Sequence, residues 1–487
     1  MITRIKINGF KSLLETELYF GPFTCIAGAN AVGKSNFFDA LSFLSKMADN
    51  SIVHAAKSIR SEQEKHSDIK DIFYKSGKDY YKKMSFEVDM LVQQKAEDDL
   101  GQDAEATITS LRYTLELTMN DDDMEGHPIQ IVKEELKPIT LTETKKQLFF
   151  KKSKEWENST IKGRRAKTAF ISTEGNAIKL HSDSQHKRGG RTAKSIAHKM
   201  PRTLLSTVTS ESPTAFLARQ EMRNWMMLQF EPSALRKPNA MYEVKNAEIT
   251  AHGHNVPATL YRLHLEKKEE DVYQKLTNTL KSLVNNIDDI YVDKDEKRDL
   301  LTLHIRFRDG LVLPAHSLSD GTLRYLGLAI IQEDTKSSGL ICLEEPENGI
   351  NPKNINEMVQ LLEEMSTDTD YEVNEDNPLR QVIINSHSPL VVRAVSDESL
   401  YLATEREIYS ESFQKKITYT GFSALSGTWK TKNGLAEETT LGDMLHYLET
   451  SQKQQTTHKE FNTYEVSGNI KKTVAENLNQ LHLYAEL

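Results

Sequence analysis

Three short apolar stretches interrupt an otherwise mixed pattern of hydrophobic and polar positions, at residues 23–27, 340–343 and 382–384. None of them alternates between apolar and polar residues, and such a run predicts a strand buried on both faces of a parallel sheet. Apolar residues at helical spacing follow the first stretch over residues 35–47 and precede the second over residues 323–331. The pattern therefore predicts an α/β fold in which helices flank a mixed sheet.

The pattern divides the chain into two parts of a core, residues 1–120 and 285–450, an insertion at 121–284 and a tail at 451–487. In the insertion, apolar residues at 216–217 and 225–228 predict a pair of helices, with Pro232 as the residue that ends it. Short strands are expected near 400–402 and 416–419, and a helix is expected near 441–448.

The tail combines a linker with an amphipathic segment. Residues 451–468 are polar and rich in Gln, Thr and Ser, which is typical of a linker. An amphipathic helix beyond it either folds back on its own chain or docks on a partner, and both alternatives stay open. The residues that fall on its apolar face are Ile470, Val474, Leu478, Leu481 and Tyr484.

Composition narrows the class of protein. With 487 residues, the chain exceeds the usual size of one core, so at least two domains are expected. The chain is 38% hydrophobic and 27% charged with a formal net charge of −9, and no apolar run reaches the about 18 residues of a membrane helix. The first residues do not form a signal peptide, so we expect a cytoplasmic protein that contacts no membrane. Cys25 and Cys342 fall in predicted core strands, where a disulfide is not expected.

Residues 28–35 read Gly-Ala-Asn-Ala-Val-Gly-Lys-Ser and match a phosphate-binding loop between a strand and a helix. Backbone N–H groups and the helix N-terminus face phosphate oxygens in such a loop. Lys34 is expected to reach the β- and γ-phosphates of ATP, and the Ser35 hydroxyl is expected to bind Mg²⁺. The predicted ATP-binding residues are Asn30, Ala31, Val32, Gly33, Lys34, Ser35 and Asn36.

Two acids, Glu344 and Glu345, follow the second apolar stretch. The carboxyl end of a parallel strand lies beside the phosphate loop in a sheet of this kind. We interpret Glu344 as a Mg²⁺ ligand, although Asp is the usual residue there, and Glu345 as the residue that orients or deprotonates the attacking water. On their own, paired acids after a strand are more often a solvated turn.

Ser319 and His387 complete the set of candidate residues. Ser319 is a natural N-cap for the helix predicted at 323–331, and a capped helix start is an anion site, although most such serines are only caps. His387 follows the third apolar stretch, where an imidazole can bond to the γ-phosphate and report its presence. A lone histidine is usually structural, but the order of all these segments favours a functional role.

In these motifs the chain resembles the ABC-type ATPases of the RecF, SMC and OLD kind. The matching stretches are 1–12, 28–35, 318–321, 344–349 and 385–389. The resemblance implies an ABC-type P-loop ATPase head with a helical and basic insertion, in which Glu345 and His387 are catalytic and ATP and Mg²⁺ are the cofactors. It also implies a head-to-tail dimer in which Ser319, Asp320 and Gly321 act in trans on the γ-phosphate bound by the second copy.

Two positions depart from the family pattern. Asp320 stands where transporters usually have glycine, and this weakens a transporter interpretation. Asn351-Pro352 stands where relatives often have His-Pro, which leaves the loop at the dimer seam unassigned.

Within the family, the chain most resembles the ATPase subunits (PtuA) of Septu antiphage systems, and next those of PARIS systems. OLD-type relatives carry a Toprim nuclease domain after the head, but no Asp-x-Asp pair follows residue 403 here, and no HNH or zinc-ligand cluster is present. The resemblance to Septu implies a separate nuclease subunit of the HNH type.

Two alternatives to this interpretation remain. One is a RecF-like repair ATPase that binds DNA directly, and the other is a transporter or chaperone-like motor, which the long insertion disfavours. Residues 145–202 contain 16 Lys or Arg against 4 Asp or Glu. This segment would attract DNA phosphates, or it is a solvated, flexible surface, and the sequence supports both equally.

Overall fold

The computed structural model describes residues 1–59, 68–98, 100–120, 128–163, 168–181, 183, 194–267, 271–284 and 286–450. The predicted tail, residues 451–487, lies outside the described residues. The strands in chain order are β1 (Ile2–Asn8), β2 (Thr16–Tyr19), β3 (Phe23–Gly28), β4 (Lys75–Ser76), β5 (Asp79–Tyr80), β6 (Lys83–Leu91), β7 (Lys95–Glu97), β8 (Asp103–Glu105), β9 (Ser110–Met119), β10 (Ile129–Pro138), β11 (Ile171–Glu174), β12 (Ala177–Leu180), β13 (Lys194–Ile196), β14 (Met226–Leu228), β15 (Asn239–Ala240), β16 (Ile287–Asp295), β17 (Leu300–Phe307), β18 (Val312–Pro314), β19 (Gly339–Glu344), β20 (Arg380–Ser386), β21 (Leu400–Ser410), β22 (Lys415–Leu425) and β23 (Glu437–Thr439).

Helices pack on both faces of the sheets. The α-helices are α1 (Lys34–Met47), α2 (Ile52–Lys57), α3 (Leu141–Gln147), α4 (Lys154–Thr160), α5 (Pro213–Arg223), α6 (Pro232–Leu235), α7 (Val256–Glu266), α8 (Val272–Lys281), α9 (Asp320–Glu333), α10 (Ile355–Glu364), α11 (Pro389–Ala394) and α12 (Trp429–Lys432), and residues 441–450 are also helical. Short 3-10 helices lie at Ile69–Ile72, Ala197–Lys199, Leu205–Thr207, Met241–Asn246, Ala315–Ser317, Pro352–Asn354 and Asp397–Ser399.

A mixed sheet of seven strands forms the centre, in the order β14-β19-β20-β3-β21-β22-β23. The strands from β14 to β21 are parallel to their neighbours, whereas β21 and β22 pair antiparallel. Every residue of β3 and β20 is buried, because helices or sheet cover both faces. The predictions of buried parallel strands at residues 23–27, 340–343 and 382–384 are therefore confirmed.

Alternate residues of the central strands enter two different cores. Cys25 and Ala27 pack against the helices α7 to α11 on one face of the sheet. Ile26 packs on the opposite face with α1, which a second sheet covers from its other side. Cys25 and Cys342 belong to different cores and both are free thiols, which confirms the expectation that they form no disulfide.

The second sheet has eight antiparallel strands in the order β13-β12-β11-β10-β9-β6-β1-β2. Its long strands alternate between buried and partly exposed residues, as β9 does over ten residues, because only one face packs on the core. A smaller sheet contains β15, β17, β16 and β18. The predicted fold class, helices flanking a mixed sheet, is confirmed.

The segment between the two predicted halves contributes more than helices. Strands β10 to β13 extend the eight-stranded sheet, and β14 forms an edge of the seven-stranded sheet. The prediction of a helical pair is wrong at residues 225–228, since Met226–Leu228 is a strand parallel to β19. Pro232 begins the short helix α6 and does not end one. A run of three apolar residues has no periodicity of its own, so its pairing with β19 decides its conformation.

Among the described residues, no helix combines the length and the apolar character that a membrane crossing requires.

Candidate functional site

The predicted site segments follow three adjacent parallel strands. The phosphate loop follows β3, Glu344 ends β19, and His387 follows β20, and β20 lies between the other two. The carboxyl ends of parallel strands are where open α/β sheets bind ligands. The topology therefore brings together residues that are separated by some 300 positions in the chain.

The phosphate loop adopts a conformation that depends on glycine. Gly33 has φ 95° and is the N-cap of α1, and a glycine has no side chain that could bond to the first N–H groups of the helix. Ala31 also has a positive φ, 66°. A Cβ atom at Gly33 would lie 2.2 Å from the Thr420 hydroxyl oxygen, so only glycine fits there. The loop leaves a helix N-terminus with uncapped N–H groups, the arrangement that binds phosphate.

Lys34 is buried at the base of this loop, with 5% of its surface exposed. Its ammonium donates to the carbonyl oxygens of Gly28 and Ala29, both at 2.7 Å. Burial lowers the pKa of Lys34, and the carboxylates of Glu345, Glu347 and Glu344 oppose this effect. Lys34 is thus a desolvated cation that lies near three carboxylates and is bonded to the carbonyls of the phosphate loop.

Ser35 and Glu344 form a direct contact across the site. The Ser35 hydroxyl donates to Glu344 Oε2 at 2.9 Å, although the two residues lie 309 positions apart. A hydroxyl and a carboxylate oxygen are hard ligands of the type that Mg²⁺ prefers, and Mg²⁺ commonly uses one or two such protein ligands together with nucleotide phosphates. The donor set of these two residues therefore fits the predicted metal.

Glu345 has both carboxylate oxygens engaged. Oε1 lies 2.9 Å from His387 Nδ1, and Oε2 accepts a hydrogen bond from Asn348 Nδ2 at 2.9 Å. Its backbone has φ 47°, in the left-handed region that side chains rarely adopt. The Glu345 N–H donates to both the carbonyl and the side-chain oxygen of Asn385, at 3.0 and 3.1 Å, and these bonds stabilise the strained backbone.

The segment around Ser319 packs against the turn that follows Glu345. Ser319 caps α9, with its hydroxyl accepting a hydrogen bond from the Thr322 N–H at 3.2 Å, as predicted for an N-cap. A Cβ atom at Gly321 would lie 2.3 Å from the Gly349 carbonyl oxygen. Within one chain the serine is therefore a cap, and its predicted action on a second copy stays a prediction.

The sequence between β3 and α11 matches a known family model. That model is described as "AAA domain, putative AbiEii toxin, Type IV TA system", and it matches residues 23–393, well over half of the 487 residues. The chain belongs to this family. The matched range begins in β3 and ends in α11, so it includes the phosphate loop, both acids and His387, and the chain is an ATPase of the AAA type.

Solved SMC head domains are similar to this AAA chain. An SMC head bound to the C-winged helix domain of ScpA has a TM-score of 0.43 at 13% identity, covering 87% of this chain and 98% of that chain. The SMC head domain from Thermotoga maritima has a TM-score of 0.37 at 11% identity, with 87% and 99% covered. An SMC head with an extended coiled coil from Pyrococcus furiosus, bound to the C-terminal domain of ScpA, has a TM-score of 0.41 at 13% identity, with 89% and 98% covered. None of the curated proteins compared with the chain matches it.

Sequence reasoning missed several residues of the AAA site. Asn385 and Asn348 hold Glu345, and Thr420 contacts the phosphate loop from β22. Asn385 lies in the matching stretch 385–389, but no sequence pattern identifies an amide at the end of a strand as a site residue. Asn351, which replaces the expected histidine, accepts a hydrogen bond from the Lys353 N–H at 3.1 Å and caps a 3-10 helix.

Gln229 was missed because its strand was predicted as a helix. It follows β14 directly, and β14 runs parallel to β19 with Leu228 opposite Leu343. Gln229 and Glu344 both line a cavity of about 920 Å³ that lies between α1 and the edge of the sheet. An amide oxygen can bind Mg²⁺ directly or accept a hydrogen bond from a Mg²⁺-bound water. The signal that could have found Gln229 is a polar residue at the end of a short apolar run.

Proposed function

We propose that the chain is the ATP-binding and ATP-hydrolysing subunit of a bacterial antiphage defence complex. In this proposal two copies close around ATP and control a nuclease that is encoded separately. The observation that supports the hydrolytic part is the convergence of Lys34, the Ser35–Glu344 pair and the Glu345–His387 pair at the ends of three adjacent strands.

The chemistry follows from the position of each group. Ser35 and Glu344 would hold Mg²⁺, and the bound ion would supply positive charge against the negative charge that develops on the phosphates. The Lys34 ammonium already lies in the phosphate loop, where it donates to a loop carbonyl. Phosphate oxygens that enter the loop could therefore accept hydrogen bonds from the same ammonium. Glu345 would accept a proton from water, and His387, in contact with Glu345 Oε1, would orient that carboxylate and sense the γ-phosphate.

We propose that Ser319, Asp320 and Gly321 complete the site of a second copy. The N-terminus of α9 carries these residues, and Asp320 is half exposed, so the surface is accessible to another molecule. Backbone N–H groups at a helix start and a serine hydroxyl are suitable donors for a γ-phosphate. The active unit would then be a head-to-tail dimer with two nucleotides at its seam.

The defence role is supported by two observations of different kinds. The family description names a toxin of a Type IV TA system. The sequence resembles Septu and PARIS ATPases in its phosphate loop, its paired acids and the segment that contains His387. A separate nuclease, of the HNH type if the system is Septu, would supply the cutting activity.

Two substitutions test the ATPase proposal. Lys34→Ala removes the buried ammonium and should abolish ATP binding, whereas Glu345→Gln should leave binding intact and reduce hydrolysis by about 100-fold or more. Binding is measured by calorimetry and hydrolysis by phosphate release. Glu345→Gln should also accumulate a dimer with ATP in light scattering, and adding Ser319→Arg should prevent that dimer without weakening ATP binding to one copy. Normal hydrolysis by Glu345→Gln would refute the assignment of the water-activating residue.

Co-purification tests the partner. The product of the neighbouring gene, expressed with this chain, should co-elute with it, and deletion of residues 451–487 should remove that binding while ATP hydrolysis persists. An intact complex after the deletion would exclude the tail as the docking segment.

Direct DNA binding, as in a RecF-like repair ATPase, gains little support from the described part of the basic segment. Lys145 and Lys152 contact Glu157, and Lys179 contacts Glu174, so these cations are at least partly neutralised. Residues 164–167 and 184–193, which hold many of the other cations, lie outside the described residues. Salt-dependent DNA binding by the isolated protein would favour this second function.

A further inference from the structure

Glu347 is a buried acid next to the proposed catalytic residues, and the ATPase mechanism above gives it no task. Only 8% of its surface is exposed. Its Oε1 accepts a hydrogen bond from the Ser386 hydroxyl at 2.5 Å, whereas Oε2 is buried and has no hydrogen-bond partner among the described residues. Burial raises the pKa of Glu347. Burying a carboxylate oxygen without a hydrogen-bond partner costs folding free energy.

The partner of Glu347 lies directly beside His387. Ser386 is fully buried at the end of β20, where it pairs with Ala27 of the strand that leads to the phosphate loop. The Ser386 hydroxyl also accepts a hydrogen bond from the Ser388 N–H at 3.0 Å. The Ser386 hydroxyl therefore joins Glu347 to the residues immediately before and after His387.

The turn that carries Glu347 touches α9 on its other face. The Asn348 carbonyl accepts a hydrogen bond from Arg324 Nη1 at 3.3 Å, and Gly349 lies against Gly321. The same turn begins with Glu345, whose carboxylate contacts His387. Residues 345–350 thus lie between the start of α9 and the end of β20, and Glu347 is the buried side chain that ties them to β20.

We propose that Glu347 is a positioning residue for ATP hydrolysis, which acts with Ser386 to hold Glu345 and His387 in one geometry against the end of β20. This inference rests on the proposed function. The hydrogen-bond acceptor, Oε1, is the functional part of Glu347, and its negative charge is not.

A purely structural role makes a different prediction. A buried acid that only packs would change the melting temperature when it is replaced, and the activity of the folded fraction would remain normal. A positioning residue changes kcat with little change in ATP affinity, because small displacements of reacting groups reduce the rate by large factors.

The experiment compares four variants of the full chain with the wild type. Glu347→Ala should lower kcat by about 10-fold to 100-fold and change the Kd of ATP by less than about 3-fold. Glu347→Gln keeps an oxygen that accepts from Ser386 and should stay within about 3-fold of the wild-type kcat. Ser386→Ala should match Glu347→Ala, and the double variant should be no slower than either single one, because both break the same bond. Ser386→Ala removes only one hydroxyl, so it keeps the test valid if Glu347→Ala does not fold.

Glu357 supplies the matched control. It also has a buried carboxylate oxygen without a hydrogen-bond partner among the described residues, but it lies on α10, outside the turn. Glu357→Ala should change the melting temperature without changing kcat.

If the wild type hydrolyses ATP, any one of three results would overturn the inference. They are a normal kcat for Glu347→Ala, equal losses for Glu347→Gln and Glu347→Ala, and additive losses in the double variant. A wild type that neither binds nor hydrolyses ATP would overturn the proposed function itself, and this inference with it.

Discussion

Thr420 shows how a single hydroxyl far along the chain shapes the phosphate loop. It donates to the Val32 carbonyl at 2.8 Å and lies 2.6 Å from the Ser12 hydroxyl. Ser12 in turn accepts a hydrogen bond from Asn36 Nδ2 at 2.8 Å. The phosphate loop is therefore held by hydrogen bonds to β22 and to the turn between β1 and β2. We expect these bonds to keep the backbone of the loop in the conformation that binds phosphate.

Thr420→Val tests this support, because valine keeps the shape of threonine and removes the hydroxyl. We expect ATP to bind about 3-fold to 10-fold more weakly, as loss of one or two hydrogen bonds predicts, with little change in kcat at saturating ATP. Titration calorimetry measures the effect. Thr418→Val is the control, since Thr418 lies on the same strand with an exposed side chain. Equal affinities for Thr420→Val and the wild type would show that the loop is rigid without this contact.

At this scale, the predictable residues are those with a local motif. Lys34 and Ser35 belong to a contiguous pattern, and Glu345 and His387 each directly follow a buried strand, so the sequence marks all four. Thr420 acts through a contact between distant segments, Asn348 bonds Glu345 within a turn that has no motif of its own, and Gln229 follows a strand too short to recognise. No rule of spacing connects Thr420 with Val32, since 388 positions separate them.

The start of α9 carries a charge that its proposed role requires to be neutralised. Asp320 would repel a triphosphate, but its Oδ1 accepts a hydrogen bond from Arg236 Nη2 at 2.5 Å. The same Arg236 nitrogen donates to the Leu318 carbonyl at 2.9 Å, so the guanidinium holds the segment on both sides of Ser319. Arg236 follows α6, and Phe230 and Leu235 in that region pack against Gly327 of α9.

If Arg236 neutralises Asp320, removal of the Asp320 carboxylate should restore the ATP hydrolysis that is lost when Arg236 is replaced. Arg236→Ala should lower ATP hydrolysis by about 10-fold or more at low protein concentration, because Asp320 then faces the phosphates unpaired. Adding Asp320→Gly should restore most of the rate, since no carboxylate remains to be neutralised. The measurement is steady-state phosphate release across protein concentrations. Lys237→Ala, which removes the neighbouring exposed cation, is the control. A double variant slower than Arg236→Ala would show that Arg236 does not act through Asp320.

Elements were predictable where their own sequence specifies them. Strands β3, β19 and β20 have apolar runs that lead directly into recognisable motifs, and α9 has both a cap and helical spacing, so all four were recognised. Strand β14 has three residues and exists because β19 offers it hydrogen bonds. The alternation along β6 and β9 indicates antiparallel strands, but their assembly into one sheet of eight depends on pairing order, which local patterns do not contain.

For the whole molecule, the C-terminal part contains an unusual buried cation. Lys430 is fully buried, with its ammonium donating to the Glu398 carbonyl and lying 4.7 Å from the Tyr401 ring and 4.8 Å from the Trp429 ring. Burial lowers the pKa of Lys430 to about 7. Among the described residues, the ammonium is stabilised by two aromatic faces and one carbonyl and forms no ion pair with a carboxylate.

The lowered pKa of Lys430 fixes the sign of a pH dependence. Between about pH 7 and the ordinary lysine value, the unfolded chain binds a proton that the folded chain has released, so the free energy of unfolding rises with pH. The slope from this group is at most about 1.4 kcal/mol per pH unit. Urea unfolding at about pH 7.5 and 9.5 should show this rise for the wild type, and Lys430→Met should remove it. A rise of the same size in Lys430→Met would assign it to other groups.

The separation of Ser12 from Thr420 by 408 positions has a consequence for protein synthesis. A ribosome that has made the glycine-rich loop has not yet made the strands beside it, and long-range pairing waits for the later segments. A nascent chain, or a product cut short by a premature stop codon before β22, therefore carries the loop without the Thr420 contacts to Val32 and Ser12. Translation must therefore pass β22 before the phosphate loop has all of the contacts that support it.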